Sequence, residues 1–201
     1  MPLPFRIALA SSLDRSLIYR LRHEVYAREL HQHPENAAGE LSDALDQFNE
    51  YVVVFSGAGR LVGFMSITPP GRTYSLEKYI ARTELPFALD GALYEFRLLA
   101  VEKAYRGGVA ASLLLYASLR WVQSQGGTRV MAIGRSEVLP MYRKLGFEFH
   151  HRPVRSGAAT FELMSLDLDR VPPVLARYTR VLHSLESAVE WRLGIPFYAP
   201  A

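Results

Sequence analysis

The stretch YEFRLLAVEKAYRGGVAASLLLYASL, residues 94–119, decides the fold. The apolar run 93–101 predicts a β-strand, and the helical spacing of 109–125 predicts a helix, with Gly107 and Gly108 in the turn between them. The start of such a helix presents free backbone N–H groups and the positive end of the helix dipole. The segment therefore predicts an anion-binding site, and a plain tight strand-to-helix turn is the alternative.

The segments on either side predict an α/β (α+β) fold, in which flanking helices cover a mixed central sheet. The strand at 129–133 would lie parallel to the strand at 93–101, because a helix connects them. Gly57, Ala58 and Gly59 join two apolar runs and predict a hairpin. The further elements expected are strands at 5–10, 51–55, 60–68, 147–150 and 161–168, short helices near 75–80 and 137–145, and a longer first helix after residue 12.

The C-terminal part of the chain carries apolar residues at helical spacing, which predicts one amphipathic helix over 173–193. We expect one main domain at 1–170 and a helical extension at 171–201 packed on the same domain. The extension could cap a channel, dock on the sheet or form a homodimer interface, and the pattern leaves these open.

Composition excludes several kinds of chemistry. The chain has no Cys, which excludes a thiolate nucleophile and Cys-ligated zinc, and His31 and His33 have no third ligand nearby, so no metal is predicted. A formal charge of +3 without a basic run gives no reason to predict nucleic-acid binding. No apolar stretch approaches a membrane span, and the N-terminus does not look like a signal peptide, which together favour a cytoplasmic protein.

Two motifs occur in an order that resembles the GNAT (GCN5-related N-acetyltransferase) superfamily. LLAVEKAYRGGVAASLLL, residues 98–115, resembles the family's strand and coenzyme A pyrophosphate loop, and LPMYRKLGFEF, residues 139–149, resembles its later helix and strand. The loop departs from the usual Arg-x-x-Gly-x-Gly/Ala pattern, since Val109 stands at the first Gly position. The resemblance implies an enzyme that uses acetyl-CoA or another acyl-CoA as donor, with no metal.

The same resemblance implies the residues of the donor site. Tyr142 matches the tyrosine beside the coenzyme A sulfur, where it would protonate the leaving thiolate, and a buried structural tyrosine is the alternative. The residues expected to contact the donor are Leu99, Ala100 and Val101 on the strand and Arg106, Gly107, Gly108, Val109, Ala110 and Ala111 in the loop.

Glu95 and Arg97 lie two residues apart on the predicted strand and would share one face of the sheet. A carboxylate at this place is a usual GNAT base, so Glu95 is the candidate that takes the proton from the amine. A structural Glu–Arg pair is the alternative.

RHEVYARE, residues 22–29, resembles the Arg-x-x-Val-Phe/Tyr start of acyl-homoserine-lactone synthases, and the stretch from Asp46 to Asn49 resembles their Asp-x-Tyr-Asp. The resemblance implies that Arg22, Tyr26, Asp46 and Arg97 bind a small amine acceptor such as an amino acid. The function expected is N-acyl transfer from acyl-CoA to that amine. The alternatives are an autoinducer-synthase-like enzyme that takes its acyl group from acyl carrier protein, and a non-catalytic acyl-CoA-binding module.

Overall fold

A computed structural model describes residues 4–156 and 159–197, which form one eight-stranded mixed sheet with helices on both faces. The spatial order of the strands is β6-β7-β5-β4-β3-β2-β1-β8. The strands are β1 (Phe5–Leu9), β2 (Glu50–Ser56), β3 (Leu61–Thr68), β4 (Leu93–Val101), β5 (Arg129–Arg135), β6 (Glu148–Ser156), β7 (Ala159–Asp167) and β8 (Val189–Arg192). The helices are α1 (Arg15–Arg22), α2 (Ala110–Ser124), α3 (Leu139–Lys144), α4 (Val171–Ala176) and α5 (Thr179–Ser187).

The strand, turn, helix and strand unit predicted around residues 94–119 is confirmed. β4 lies parallel to β5, and α2 makes the connection between them. The hairpin β2–β3 is antiparallel, as its glycine turn predicts. A short 3-10 turn, Ser75–Lys78, stands where the sequence predicts a helix near residue 75. The predicted mixed sheet with flanking helices is therefore confirmed.

The two faces of the sheet are covered differently. α2 lies on one face, where Leu113, Leu114 and Leu115 are fully buried against apolar residues of the central strands. α1 and the segment that follows it cover the other face over β1–β3, with Ile18 and Val25 packed on β2 and β3 side chains. Burial of these apolar faces is the main source of stability in a fold without disulfides. The central strands are therefore held rigidly from both sides.

The first helix changes its geometry before it ends. After Arg22 the chain continues as a π-helical segment, His23–Glu29, and the N–H of Leu30 donates to the carbonyl of Val25, five residues earlier, at 3.0 Å. Wide turns of this kind are rare and frequently occur at functional sites. We refer to residues 23–29 as the π segment.

The single C-terminal helix predicted over 173–193 is wrong. The region forms α4 and α5, separated at Tyr178, and then β8, which pairs in parallel with β1 at the edge of the sheet. Val189 and Trp191 satisfy a helical repeat and a strand alternation equally well, so the pattern alone could not separate the two. Trp191 packs against Tyr116 of α2, which anchors this edge of the sheet.

Candidate active site

A gap opens in the middle of the sheet between the two parallel strands. β4 and β5 are paired only from Leu93 opposite Arg129 to Phe96 opposite Ala132, although β4 runs on to Val101 and β5 to Arg135. Beyond Phe96, β4 stays bonded to β3 and β5 to β7, so the two halves of the sheet diverge. Arg97 lies in the irregular register of β4 at the point of divergence.

The edge of β4 that faces the gap offers backbone hydrogen-bonding groups. The carbonyl of Leu99 accepts a hydrogen bond from the Tyr26 hydroxyl at 3.0 Å, and the carbonyl of Val101 accepts one from Arg106 Nε at 2.8 Å. Because N–H and C=O of one residue point to the same side of an antiparallel strand, the N–H groups of Leu99 and Val101 also face the gap. Ala100 alternates with them, so its backbone groups face β3 instead.

The start of α2 lies directly after this edge. Gly107 has a φ of 76°, a left-handed conformation that glycine adopts without steric cost, and Val109 is the N-cap. No side chain caps the helix, so the first N–H groups keep their donor capacity. A Cβ built on Gly107 meets nothing within 4 Å, which leaves open space beside the backbone. The turn therefore has the features of an anion site.

Two tyrosines lie near each other, and one of them, Tyr26, is hydrogen-bonded to β4. Tyr142 on α3 is buried and packs edge-on against Phe147 at 5.0 Å between ring centroids. Burial, with a smaller contribution from the neighbouring Tyr26, raises the pKa of Tyr142. Burial likewise raises the pKa of Tyr26 to about 12. Both phenols therefore keep their protons at neutral pH, as a general acid requires.

A buried cluster of charges lies beside the gap on the α1 face. Asp46 accepts hydrogen bonds from Arg22 at 2.9 Å, from Arg97 at 2.9 Å and from the Tyr51 hydroxyl at 2.7 Å. Asp43 binds the same two arginines, at 2.9 Å from Arg22. We call Arg22, Asp43, Asp46 and Arg97 the charge cluster. Its two positive and two negative charges balance, as buried charges require.

Asp43 is the most accessible member of the charge cluster. Its side chain is 29% exposed, whereas those of Arg22, Asp46 and Arg97 are between 3% and 5% exposed. Burial raises the pKa of Asp43, but the hydrogen bond from Arg22 and the charge of Arg97 outweigh it and leave the pKa below its ordinary value. Asp43 therefore stays ionised and is the member that a ligand reaches first.

Glu95 lies on β4, where its side chain contacts the segment that connects β3 to β4. Only 1% of the residue is exposed, and burial raises the pKa of its carboxyl above the ordinary value. Its oxygens accept from the N–H of Ser75 at 2.7 Å, the hydroxyl of Ser75 at 2.7 Å, the N–H of Leu76 at 3.0 Å and the hydroxyl of Thr68 at 3.3 Å. Glu95 thus anchors the 3-10 turn, and the half-buried Ser75 separates it from solvent.

Replacing Glu95 with glutamine tests this anchoring. Each carboxylate oxygen accepts from a backbone N–H. In either orientation of the glutamine amide, its NH₂ group therefore faces one of these N–H groups, and two buried donors are left without an acceptor. We expect the free energy of unfolding to fall by about 2 kcal/mol, measured by urea denaturation. The exposed Glu186→Gln variant on α5 is the control and should change little. Equal stability of the two variants would contradict the anchoring role.

The comparisons with known proteins agree with this architecture. The family model of the acetyltransferase (GNAT) domain matches residues 21–116, which span the π segment, the charge cluster, β4 and the start of α2. Over these residues the chain is similar to the GNAT acetyltransferases. No curated protein matches the sequence significantly.

Solved structures share the fold of this chain. A CoA-dependent acyl-homoserine lactone synthase, BjaI, with SAM and isopentyl-CoA, has a TM-score of 0.74 at 20% identity, over 96% of this chain and 95% of that one. The AHL synthase LasI has a TM-score of 0.69 at 15% identity, over 85% and 93% of the two chains. A histone acetyltransferase HPA2 and related acetyltransferase from Corynebacterium glutamicum has a TM-score of 0.60 at 17% identity, over 81% and 96%.

The structure brings several of the residues predicted for the site together. Tyr26 donates to Leu99, Tyr142 lies near Tyr26, and the loop 106–111 follows β4 after a short turn. Arg22, Asp46 and Arg97 come together in the charge cluster, as the resemblance implies for the acceptor side. Their roles in binding and catalysis stay predictions.

Sequence reasoning missed three contributors to the site. Asp43 lies in a polar stretch without periodicity, and only its spacing of three from Asp46 hints at a turn that brings the two carboxylates together. Ser75 contacts Glu95 from twenty residues away, and Tyr51 reaches the charge cluster from an apolar strand. Across residues 4–156 and 159–197, no group of three or more His, Cys, Asp or Glu could hold a metal, and no helix is long and apolar enough to cross a membrane.

Proposed function

We propose that the chain transfers an acyl group from acyl-coenzyme A to the amine of a small acceptor by direct attack on the thioester. The observation that carries the proposal is the gap between β4 and β5. The N–H groups of Leu99 and Val101 that face this gap, the uncapped start of α2 and the buried phenol of Tyr142 are the groups that support the proposal. An acyl donor with an anionic end and a thioester end matches these groups, because the helix start can bind the anion and the backbone N–H groups and the phenol can serve the thioester.

The donor would lie along the gap with its pyrophosphate at the start of α2. The N–H groups of 107–111 would bind the phosphate oxygens, helped by the dipole of a fifteen-residue helix. The thioester carbonyl oxygen would then lie near the N–H of Leu99 or Val101. A backbone donor aimed at this oxygen stabilises the negative charge that develops when the amine attacks.

Tyr142 would serve the leaving group. As the tetrahedral intermediate collapses, the C–S bond breaks and the sulfur takes the electron pair as a thiolate. The Tyr142 hydroxyl would donate its proton to that sulfur. Burial raises the pKa of Tyr142, so the hydroxyl is protonated before the reaction. The same burial would raise the pKa of the departing thiol above the value of about 8.5 that a free thiol has, and this favours the transfer of the proton to sulfur.

The amine proton would reach Glu95 through the Ser75 hydroxyl. Glu95 has no exposed oxygen of its own, but Ser75 donates to it at 2.7 Å and is half-buried. A serine in this place can accept a proton from the attacking nitrogen while it passes its own to the carboxylate. The raised pKa of Glu95 favours this uptake.

The acceptor would be a small molecule that carries both an ammonium and a carboxylate, such as an amino acid. Asp43 presents a carboxylate at the accessible edge of the charge cluster, and Arg22 and Arg97 lie directly behind it. Such an arrangement attracts a cationic group and tolerates an anionic one. BjaI, which has the same fold, binds SAM together with isopentyl-CoA.

A thiol-release assay tests the proposed function. The chain has no Cys, so a thiol reagent reports only coenzyme A set free from acetyl-, isovaleryl- or octanoyl-CoA. We expect release to depend on an added amino acid or on S-adenosylmethionine. Release only from acyl carrier protein would overturn the free coenzyme A donor. Tight coenzyme A binding without release for any acceptor would instead favour a non-catalytic module.

A further inference from the structure

Arg106 and Glu29 form an ion pair that joins the donor loop to the π segment. Arg106 Nη2 lies 2.8 Å from Glu29 Oε2, and Arg106 Nη1 contacts Glu29 Oε1, so the pairing is bidentate. The same guanidinium donates through Nε to the carbonyl of Val101 at 2.8 Å. Three of its five N–H groups are thus engaged with protein. Bidentate pairs of this kind fix geometry as well as charge.

These contacts change the role expected of Arg106. A guanidinium that binds Glu29 with both terminal nitrogens cannot present the same fork to a phosphate. The hydrogen bond from Arg106 also lowers the pKa of Glu29, which keeps the carboxylate ionised through the neutral range. The pair is therefore neutral as a unit, and phosphate binding in the loop is left to the backbone N–H groups after Arg106.

The π segment is tied to the open edge of β4 at two points. Tyr26 donates to the carbonyl of Leu99 at 3.0 Å, and Glu29 holds the arginine that donates to the carbonyl of Val101. The two carbonyls are two residues apart and face the same gap. The end of β4, the first residue of the donor loop and the π segment are consequently held as one unit.

We propose that Glu29 is a positioning residue, which fixes Arg106 and the end of β4 so that the N–H groups of 107–111 are aimed at the donor. This inference rests on the proposed function, because the donor is taken to be a coenzyme A thioester. Glu29 touches no reacting atom, and it acts only through Arg106. It also links donor binding to the segment that carries Tyr26 on the acceptor side.

The sign of one substitution separates positioning from simple charge. Glu29→Gln removes a negative charge near an anion site and frees Arg106, so a purely electrostatic role predicts tighter binding of coenzyme A. A positioning role predicts the opposite, because the loop loses its fixed start. We expect the Kd of coenzyme A, measured by titration calorimetry, to rise about fivefold to tenfold in Glu29→Gln.

Two further variants complete the experiment. Glu24→Gln removes the same charge from the π segment, where Glu24 pairs with Arg28 one turn away, and it should leave the Kd within about twofold. In the Glu29→Gln/Arg106→Gln double variant the Kd should rise no further than in either single variant, since both break one unit. Unchanged or tighter binding in Glu29→Gln overturns the inference, whereas no binding by the unsubstituted protein overturns the proposed function.

Discussion

Acyl transfer by the Tyr142→Phe variant is expected to be about 100-fold slower than by the unsubstituted protein, at saturating donor and acceptor. The phenylalanine ring keeps the packing against Phe147 but removes the only group proposed to protonate the leaving thiolate. Because that proton is needed only as the C–S bond breaks, the Kd of coenzyme A should change less than about twofold. The rate is measured by thiol release and the Kd by calorimetry.

Tyr105→Phe is the matched control for this prediction. Tyr105 lies two residues before Gly107 and packs edge-on against Phe5, so the variant loses the same hydroxyl next to the donor loop. Its rate should stay within about twofold of the original. A Tyr142→Phe variant as active as Tyr105→Phe would contradict the general-acid role. Equal loss of rate and of coenzyme A affinity would assign Tyr142 to donor binding instead.

Replacing Asp46 with asparagine should lower the free energy of unfolding by about 3–5 kcal/mol. The carboxylate accepts from Arg22, Arg97, Tyr51 and the N–H of Asp43, and its side chain is only 3% exposed. Asparagine removes one of two negative charges that face two buried guanidiniums and turns an NH₂ toward existing donors. The charge cluster then holds an uncompensated positive charge away from water. Urea denaturation measures the change.

Asp169→Asn is the control for the charge cluster, because Asp169 is exposed in the short turn after β7. It should change the free energy of unfolding by less than about 0.5 kcal/mol. If Asp46→Asn were no more destabilising than Asp169→Asn, this would contradict the conclusion that Asp46 compensates the buried charges of Arg22 and Arg97. An Asp46→Asn variant that binds coenzyme A normally, measured below its unfolding midpoint, would place the cluster on the acceptor side alone.

The donor half of the site could be predicted from the sequence because it is local. The strand before Val101, the glycine turn and the start of α2 follow one another within about twenty residues, and each has its own pattern of hydrophobicity or turn residues. The bounds predicted for β4 agree with the structure, and those of α2 differ by one residue at each end. The gap between β4 and β5 could not be predicted, because it depends on where the pairing of these two strands ends, and the sequence does not show this.

The acceptor half, and its link to the donor loop, depend on contacts between distant residues. Asp43 meets Arg97 across fifty-four positions, and Arg106 meets Glu29 across seventy-seven. On the sequence alone, Glu29 fits a solvated helix face, since an exposed glutamate is common and its partner lies on another element. The C-terminal strand β8 could not be predicted for the same reason, because its pairing with the distant β1 is what distinguishes it from a continued helix.

The donor site at the start of α2 is tested most directly by locating the residues that coenzyme A contacts. In amide NMR spectra of the ¹⁵N-labelled protein, added coenzyme A should shift the resonances of 107–111 and of Leu99 and Val101 most strongly. Residues at the far edge of the sheet, such as Trp191 on β8, should not move. Shifts confined to other surfaces, or no shift at coenzyme A concentrations far above micromolar, would contradict the donor site at the start of α2.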